Sequence, residues 1–348
     1  MKNRLLFLGI ILCIAIVANA QIDESLNKFM TTYSKSWDAT CFGKAIPDYS
    51  FSEKYNKKQL QGKNTLFFLG SLTDDNLKTM ALVDSMRNIG QFDATLIAIN
   101  TANNSVSTYW TQKRMHFPCY EGKVVNKFAK TFKVGEGVTA VLVNPEGIIC
   151  GRWNNVDIKQ LRWVKTAIWA LTAPIDQMDV SSVGNYFKRH DTYRAFYISE
   201  MLDEDKIFDQ LWSIKLVCMA GVAFDHILPF EKKIYAWNKA NCIKDKVAYE
   251  KNLYYILYAI AGPSMPRDLC EYNAPICEEL IKLNPDKYNN DYVFIDQYRC
   301  FLGGIEGNKD KCIALLNKCI AITEAKMKND PGMKVTVDYF KRQLLNYK

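Results

Sequence analysis

Two different rhythms of apolar positions divide this chain. Up to about residue 172, short continuous apolar runs alternate with stretches of helical spacing. Leu66-Phe67-Phe68-Leu69 and Ala94 to Asn100 are unbroken enough to predict strands buried on both faces of a sheet. Val138 to Val143 and Ile148 to Arg152 read as two further strands, joined by Asn144-Pro145-Glu146-Gly147 with Pro and Gly in turn positions. Between them the spacing predicts helices over 74–89, 105–112, 124–132 and 157–171, with a short strand ending at Phe117-Pro118-Cys119. A first strand is expected within the opening loop Cys41 to Phe51, and an N-terminal helix before it carries Leu26, Phe29, Met30 and Tyr33 at helical spacing. Strands alternating with helices and ending in a hairpin predict an α/β sheet domain over residues 41–172.

The remainder has no convincing strand. Residues 173–184 are rich in turn formers and read as a linker. From 185 to 348 apolar residues recur only at helical spacing, broken at Leu228-Pro229, Gly262-Pro263, Asn284-Pro285, Gly303-Gly304, Gly307-Asn308 and Pro331-Gly332. Helices with short connections predict a stack of helical hairpins, an all-α second domain.

The N-terminus has its own pattern. Lys2 and Arg4 precede an apolar run, and Ala18-Asn19-Ala20 before Gln21 has the small-x-small form of a cleavage site, so residues 1–20 read as a secretory signal peptide cut after Ala20. Leu5 to Val17 is 13 residues long, too short for a spanning helix of about 20. The expected location is therefore the periplasm or the exterior. Removing Lys2 and Arg4 leaves 43 basic against 37 acidic residues, a formal charge of +6 scattered without like-charge blocks. That distribution gives no footprint for nucleic acid.

Candidate chemistry is sparse. His116, His190 and His226 are far apart and show no zinc-site spacing, and no P-loop, Gly-x-Ser-x-Gly or dinucleotide fingerprint occurs, so neither a metal nor a cofactor is expected. Ten cysteines follow the leader. In an exported chain an even number permits disulfides, and Cys270 with Cys277 is the first pair to consider because Pro275 could bend the segment between them. Those inside apolar helical patterns, such as Cys218, read equally well as small buried hydrophobes. Asn103-Asn104-Ser105 matches a glycosylation acceptor.

Several short motifs, in order, resemble the TlpA/redoxin branch of the thioredoxin superfamily over residues 41–172. They are Gly43-x-x-x-Pro47-x-Tyr49, Gly62-Lys63, Phe117-Pro118 and Leu142-Val143-Asn144-Pro145-Glu146-Gly147-Ile148-Ile149. Fitting Phe68-Leu69-Gly70-Ser71-Leu72 to that branch's Phe-Trp-Ala-Ser-Trp puts Thr73 and Asn76 on its two redox-cysteine positions and Val138 on its cis-proline. The resemblance implies a thioredoxin-like fold whose redox chemistry is absent. The residues agree: a helix start lowers a thiol's pKa, but here it holds Thr73 as an expected N-cap with Asp74 and Asp75 behind it. A peroxiredoxin-type site would need a Cys beside Thr73 and lacks it.

Two functional readings follow. The favoured one is a non-catalytic binding or scaffold protein of the cell envelope, its second domain holding an unidentified protein or peptide partner. That domain resembles degenerate tetratricopeptide-type repeats over Ala274 to Ala321, and Tyr254, Tyr255, Tyr258, Tyr292 and Tyr298 could line a concave partner surface or serve as core with their hydroxyls reaching solvent. The alternative is an atypical thiol-disulfide oxidoreductase or peroxidase using Cys119, with Cys41 and Cys150 as weaker candidates.

Overall fold

The computed structural model describes residues 24–88, 92–102, 105–135, 137–172, 178–202, 204–260 and 265–347. The signal peptide, the Asn103-Asn104 part of the acceptor motif, residues 173–177 of the linker and the Gly262-Pro263 break lie outside them. By compactness the chain divides into two units, at Glu204 and Asp205.

The first unit is built on a five-stranded mixed sheet ordered β3-β2-β1-β4-β5. Its strands are β1 (Thr65–Gly70), β2 (Thr95–Asn100), β3 (Cys119–Tyr120), β4 (Thr139–Val143) and β5 (Ile149–Trp153). β1, β2 and β3 run parallel, with Phe68 opposite Ala98 and Ala98 opposite Cys119; β4 and β5 are antiparallel additions, with Leu69 opposite Thr139. Every residue of β1 is buried, as the continuous apolar run requires. Phe67, Leu69, Ile97, Ile99, Val141 and Val143 form one face, packed against Val125, Phe128, Ala129 and Phe132 of helix α4 (Lys123–Thr131). Leu66, Phe68, Leu96, Ala98, Ala140 and Leu142 alternate onto the other face. There α2 (Asp74–Asn88) contributes buried Met80 and Val83, and α5 (Ile158–Thr172) contributes Leu161, Val164 and Ala167. A shorter helix, α3 (Ser107–Gln112), precedes β3. The hairpin turn forms as expected, with Asn144 Oδ1 accepting from the N–H groups of Glu146 and Ile148, and Gly147 at φ +80°.

Residues 41–51 do not form the expected strand. Backbone pairing there is limited to isolated bridges, Ala45 with Ile148 and Ser50 with Asn56, beside a 3-10 turn at Ala39–Cys41. Gly43 sits at φ +78°, and Pro47 cannot donate to a ladder, so the segment follows β5 without joining it.

The linker expectation also changes. Helix α6 (Val180–Lys188) starts inside 173–184, capped by Asp179, whose carboxylate accepts from Ser182 N–H. α7 (Thr192–Met201) follows it, and both belong to the first unit rather than to the helical domain. The cause is aromatic. Phe29 and Tyr33 of α1 (residues 24–33) meet Trp163 of α5 and Phe196 of α7, with ring centroids 5.0–5.9 Å apart across the group, and the Tyr33 hydroxyl donates to Glu200 at 2.6 Å. Arg194 lies over the rings of Trp169 and Tyr186, which fastens α6 and α7 to α5.

The second unit is all helical: α8 (Glu204–Val222), α9 (Ile227–Cys242), α10 (Lys246–Ile260), α11 (Arg267–Leu283), α12 (Pro285–Tyr288), α13 (Tyr292–Gly303), α14 (Lys309–Met327) and α15 (Lys334–Leu345). From α9 onward successive helices pack on their neighbours in sequence. Two expected breaks are helix starts instead. Pro229 falls in the first turn of α9, and Pro285 is the first residue of α12 behind the Asn284 cap, places where the missing N–H costs nothing. α11 runs straight through Pro275, so Cys270 and Cys277 stand seven residues, or roughly 10 Å, apart along one helix. A disulfide needs Cα atoms within about 7 Å, and all ten cysteines beyond the leader are thiols.

One buried carboxyl governs the pH response of this unit. Glu231 on α9 is fully buried; it accepts one bond from Asn273 Nδ2 at 2.9 Å, while its Oε1 and the Asn273 Oδ1 lack partners. Burial pushes its pKa up to about 8, against the smaller opposing effect of the Asn273 bond. Between the ordinary carboxyl range and pH 8 the native state keeps a proton that the unfolded chain has released. Stability should therefore fall as pH rises through that window, on the order of 1.4 kcal/mol per unit, and level off above it. Urea unfolding of the full chain at pH 5 and pH 8 checks this. The midpoint of the helical unit should drop at pH 8, and Glu231→Gln should remove most of the difference.

Candidate functional site

The C-terminal end of β1 meets the start of β4 at a contact only glycine permits. A Cβ on Gly70 would lie 2.7 Å from the Gly137 carbonyl oxygen and 3.1 Å from Val138 Cα. Gly137 is pressed in turn by Asn155, 3.0 Å from its Cβ position to Asn155 Cα. Val138 is fully buried, its carbonyl accepts from Val156 N–H at 2.7 Å, and no peptide bond among the described residues is cis. The chain then leaves β1 through Ser71-Leu72-Thr73 into α2. Thr73 occupies the N-cap position, since its carbonyl accepts the first helical bond, from Leu77 N–H at 2.9 Å. Asn76 folds back and donates from Nδ2 to the Ser71 carbonyl at 2.6 Å.

Thr73, Asn76 and Val138 thus gather at one end of the sheet, around the tip of α2. A residue that sequence reasoning passed over holds the tip together. Asn100, fully buried at the end of β2, accepts at one oxygen from the N–H groups of Leu72 and Ala102, both at 3.1 Å. Its place as the last, polar residue of an otherwise apolar strand was the available signal.

Cys119 lies elsewhere. It pairs with Ala98, two residues short of the β2 tip, and β3 is separated from β1 by β2, which places it roughly 10 Å across the sheet from β1. Burial, reinforced by the Glu121 carboxylate, pushes its thiol up to about 12, although the Asn100 backbone N–H acts in the opposite sense. Cys41 is raised by burial against the pull of the neighbouring Arg152 guanidinium, and Cys150 is buried in β5. Reactive thiols are depressed, not raised.

In the second unit the tyrosines diverge. Tyr254 and Tyr258 stack at 6.4 Å on α10, and Tyr258 is 60% exposed. Tyr255 instead meets Trp212 of α8 edge-on. Tyr292 packs on Phe340 beneath the Lys326 ammonium, and the Tyr298 hydroxyl donates to Glu278 at 3.0 Å. Of the five, Tyr292 lines a pocket of about 720 Å³, together with Asp296, Arg299, Tyr339 and Tyr347. Among the described residues no three His, Cys, Asp or Glu side chains converge on a possible metal position, and no helix is long and apolar enough to cross a membrane.

Two substitutions test the tip. Asn100→Ala strips the partner from two backbone N–H groups and should cost about 1–3 kcal/mol; Gly70→Ala forces the β1–β4 contact apart at about the same cost. Chemical denaturation of each variant against the wild type measures both.

No family profile matches the chain, and no curated protein matches it. Among solved structures, a protein disulfide isomerase-like protein of Bacteroides thetaiotaomicron is similar at 16% identity and TM-score 0.32, over 40% of this chain and 94% of its own. The bacterioferritin comigratory protein of Xanthomonas campestris, studied for alkyl peroxide reduction, follows at 15% identity and TM-score 0.30, over 40% of this chain and 99% of its own. PrxQ of Xylella fastidiosa, in a cysteine-to-serine mutant, is similar at 13% identity and TM-score 0.29, over 40% of this chain and 97% of its own. The first unit, on the order and direction of its own five strands and the helices on both faces, has a thioredoxin-like fold.

Proposed function

We propose that this chain is an exported, non-catalytic binding or scaffold protein of the cell envelope. In this reading the thioredoxin-like unit is a rigid support without redox chemistry, and the helical unit holds a protein or peptide partner at the pocket beside Tyr292. The observation that supports it is the tip of α2, where Thr73 and the Asn76 amide, bonded to the Ser71 carbonyl, stand at the positions that the resemblance assigns to a redox pair. Electron exchange needs a thiolate, and neither residue can supply one. Residues 1–20, with their basic start and small-x-small end, support export.

The rival reading puts thiol-disulfide or peroxide chemistry on Cys119, which sits half-buried at the start of β3 within reach of the Asn100 N–H. Burial pushes its pKa up to about 12, so at neutral pH Cys119 is held as the protonated thiol rather than the reactive thiolate. Insulin-reduction and peroxide-consumption assays on the mature protein should give rates indistinguishable from buffer with reductant. Turnover that disappears in Cys119→Ser would instead establish the enzyme.

A further inference from the structure

At the opposite end of the sheet from the α2 tip, a pocket of about 440 Å³ opens beside Thr95, the first residue of β2. Its wall brings together three cations from separate stretches of chain, Lys54 and Lys63 from the segment before β1 and Arg87 from the last turn of α2, with the His116 ring beside them. Tyr55 supplies an apolar side. Among the described residues Lys54, Lys63 and Arg87 make no ion pair. Glu53 and Asp93 neighbour the pocket in sequence but do not line it.

One carboxylate stands near, and it is already committed. Asp84 on α2 is buried, with Oδ1 accepting from the His116 backbone N–H and Oδ2 meeting His116 Nδ1, both at 2.9 Å. Its two oxygens orient the imidazole, and its single negative charge can offset at most one of the three cations. Arg87 alone would be unremarkable, since a cation in the last turn also offsets a helix's negative end. The convergence of three cations and an oriented histidine on one concave volume is what needs a ligand. Such a volume concentrates positive potential, and ammonium and guanidinium groups together satisfy the outward-pointing acceptors of a tetrahedral anion.

We infer that this pocket binds a tetrahedral oxyanion of the phosphate or sulfate class, held by Lys54, Lys63 and Arg87, with any organic group of the ligand lying against Tyr55. The site is independent of the partner-binding reading and of the α2 tip.

Titration calorimetry of the full chain with sulfate, at ionic strength held constant with chloride, tests it. The expected result is saturable binding, weakened at least tenfold in the Lys63→Ala, Arg87→Ala double variant and unchanged in Lys188→Ala, an exposed lysine on α6. Displacement by inorganic phosphate alone would assign the free ion, and displacement also by glucose 6-phosphate would assign the ester; either supports the site. Absence of saturable binding up to 50 mM sulfate would overturn the inference, as would an equal loss in Lys188→Ala, because only general charge would then be at work.

Discussion

The first unit hangs on a hydrogen-bonded knot at the C-terminal end of its sheet. Asn100 presents one buried oxygen to the N–H of Leu72 and of Ala102, so the exit from β1 and the exit from β2 are tied by a single side chain. The knot can close because Gly70 lets the Gly137-Val138 backbone approach to within contact of β1. With these backbones drawn together, α2 starts at a fixed point, and its first turn is finished by Asn76 rather than by anything a substrate would bring. Buried polar groups must be satisfied, and here the satisfaction is internal.

The two ends of the same sheet consequently differ in kind. At the C-terminal end the polar groups bond one another and the nearest strand-borne thiol is raised by burial. At the N-terminal end, cationic side chains face a concave space, and the nearby Asp84 carboxylate orients a histidine. Sheets carry little net dipole of their own, so this contrast comes from the side chains that each end recruits. Binding at one end therefore does not require any chemistry at the other.

In the helical unit, tyrosine hydroxyls and carboxylates perform the task that backbone ladders perform in a sheet. Tyr235 on α9 and Tyr249 on α10 both donate to Glu279 on α11, and Tyr288 on α12 donates to Glu250 on α10, which also receives Lys287. Tyr298 does the same towards Glu278 between α13 and α11. Each pair fixes the rotation of one helix against the next, which apolar packing alone leaves loosely specified. Of the five tyrosines that read as possible partner contacts, Tyr298 is occupied in this way within the stack, while Tyr258 remains open and Tyr292 borders a pocket.

The strands were legible because burial on both faces writes itself as an unbroken apolar run, as in β1 and β2, and the hairpin because Asn144 to Gly147 has a local solution. Most helices were legible by spacing, and Thr73 was expected at the start of one of them without any structure. Local sequence could not assign α6 and α7 to the first unit, since Phe196 and Tyr197 meet Phe29 across more than 150 residues of chain. Nor could it pass α11 through Pro275, where tertiary packing of Ile276, Cys277 and Leu280 outweighs one lost backbone bond. The sequence by itself determined periodicity, and with it the elements. Only the tertiary structure decided that Asn100 is the knot and that His116, Arg87 and Lys63 line one pocket, because hydrogen bonds and electrostatic fields depend on distance in three dimensions and a linear order does not contain it.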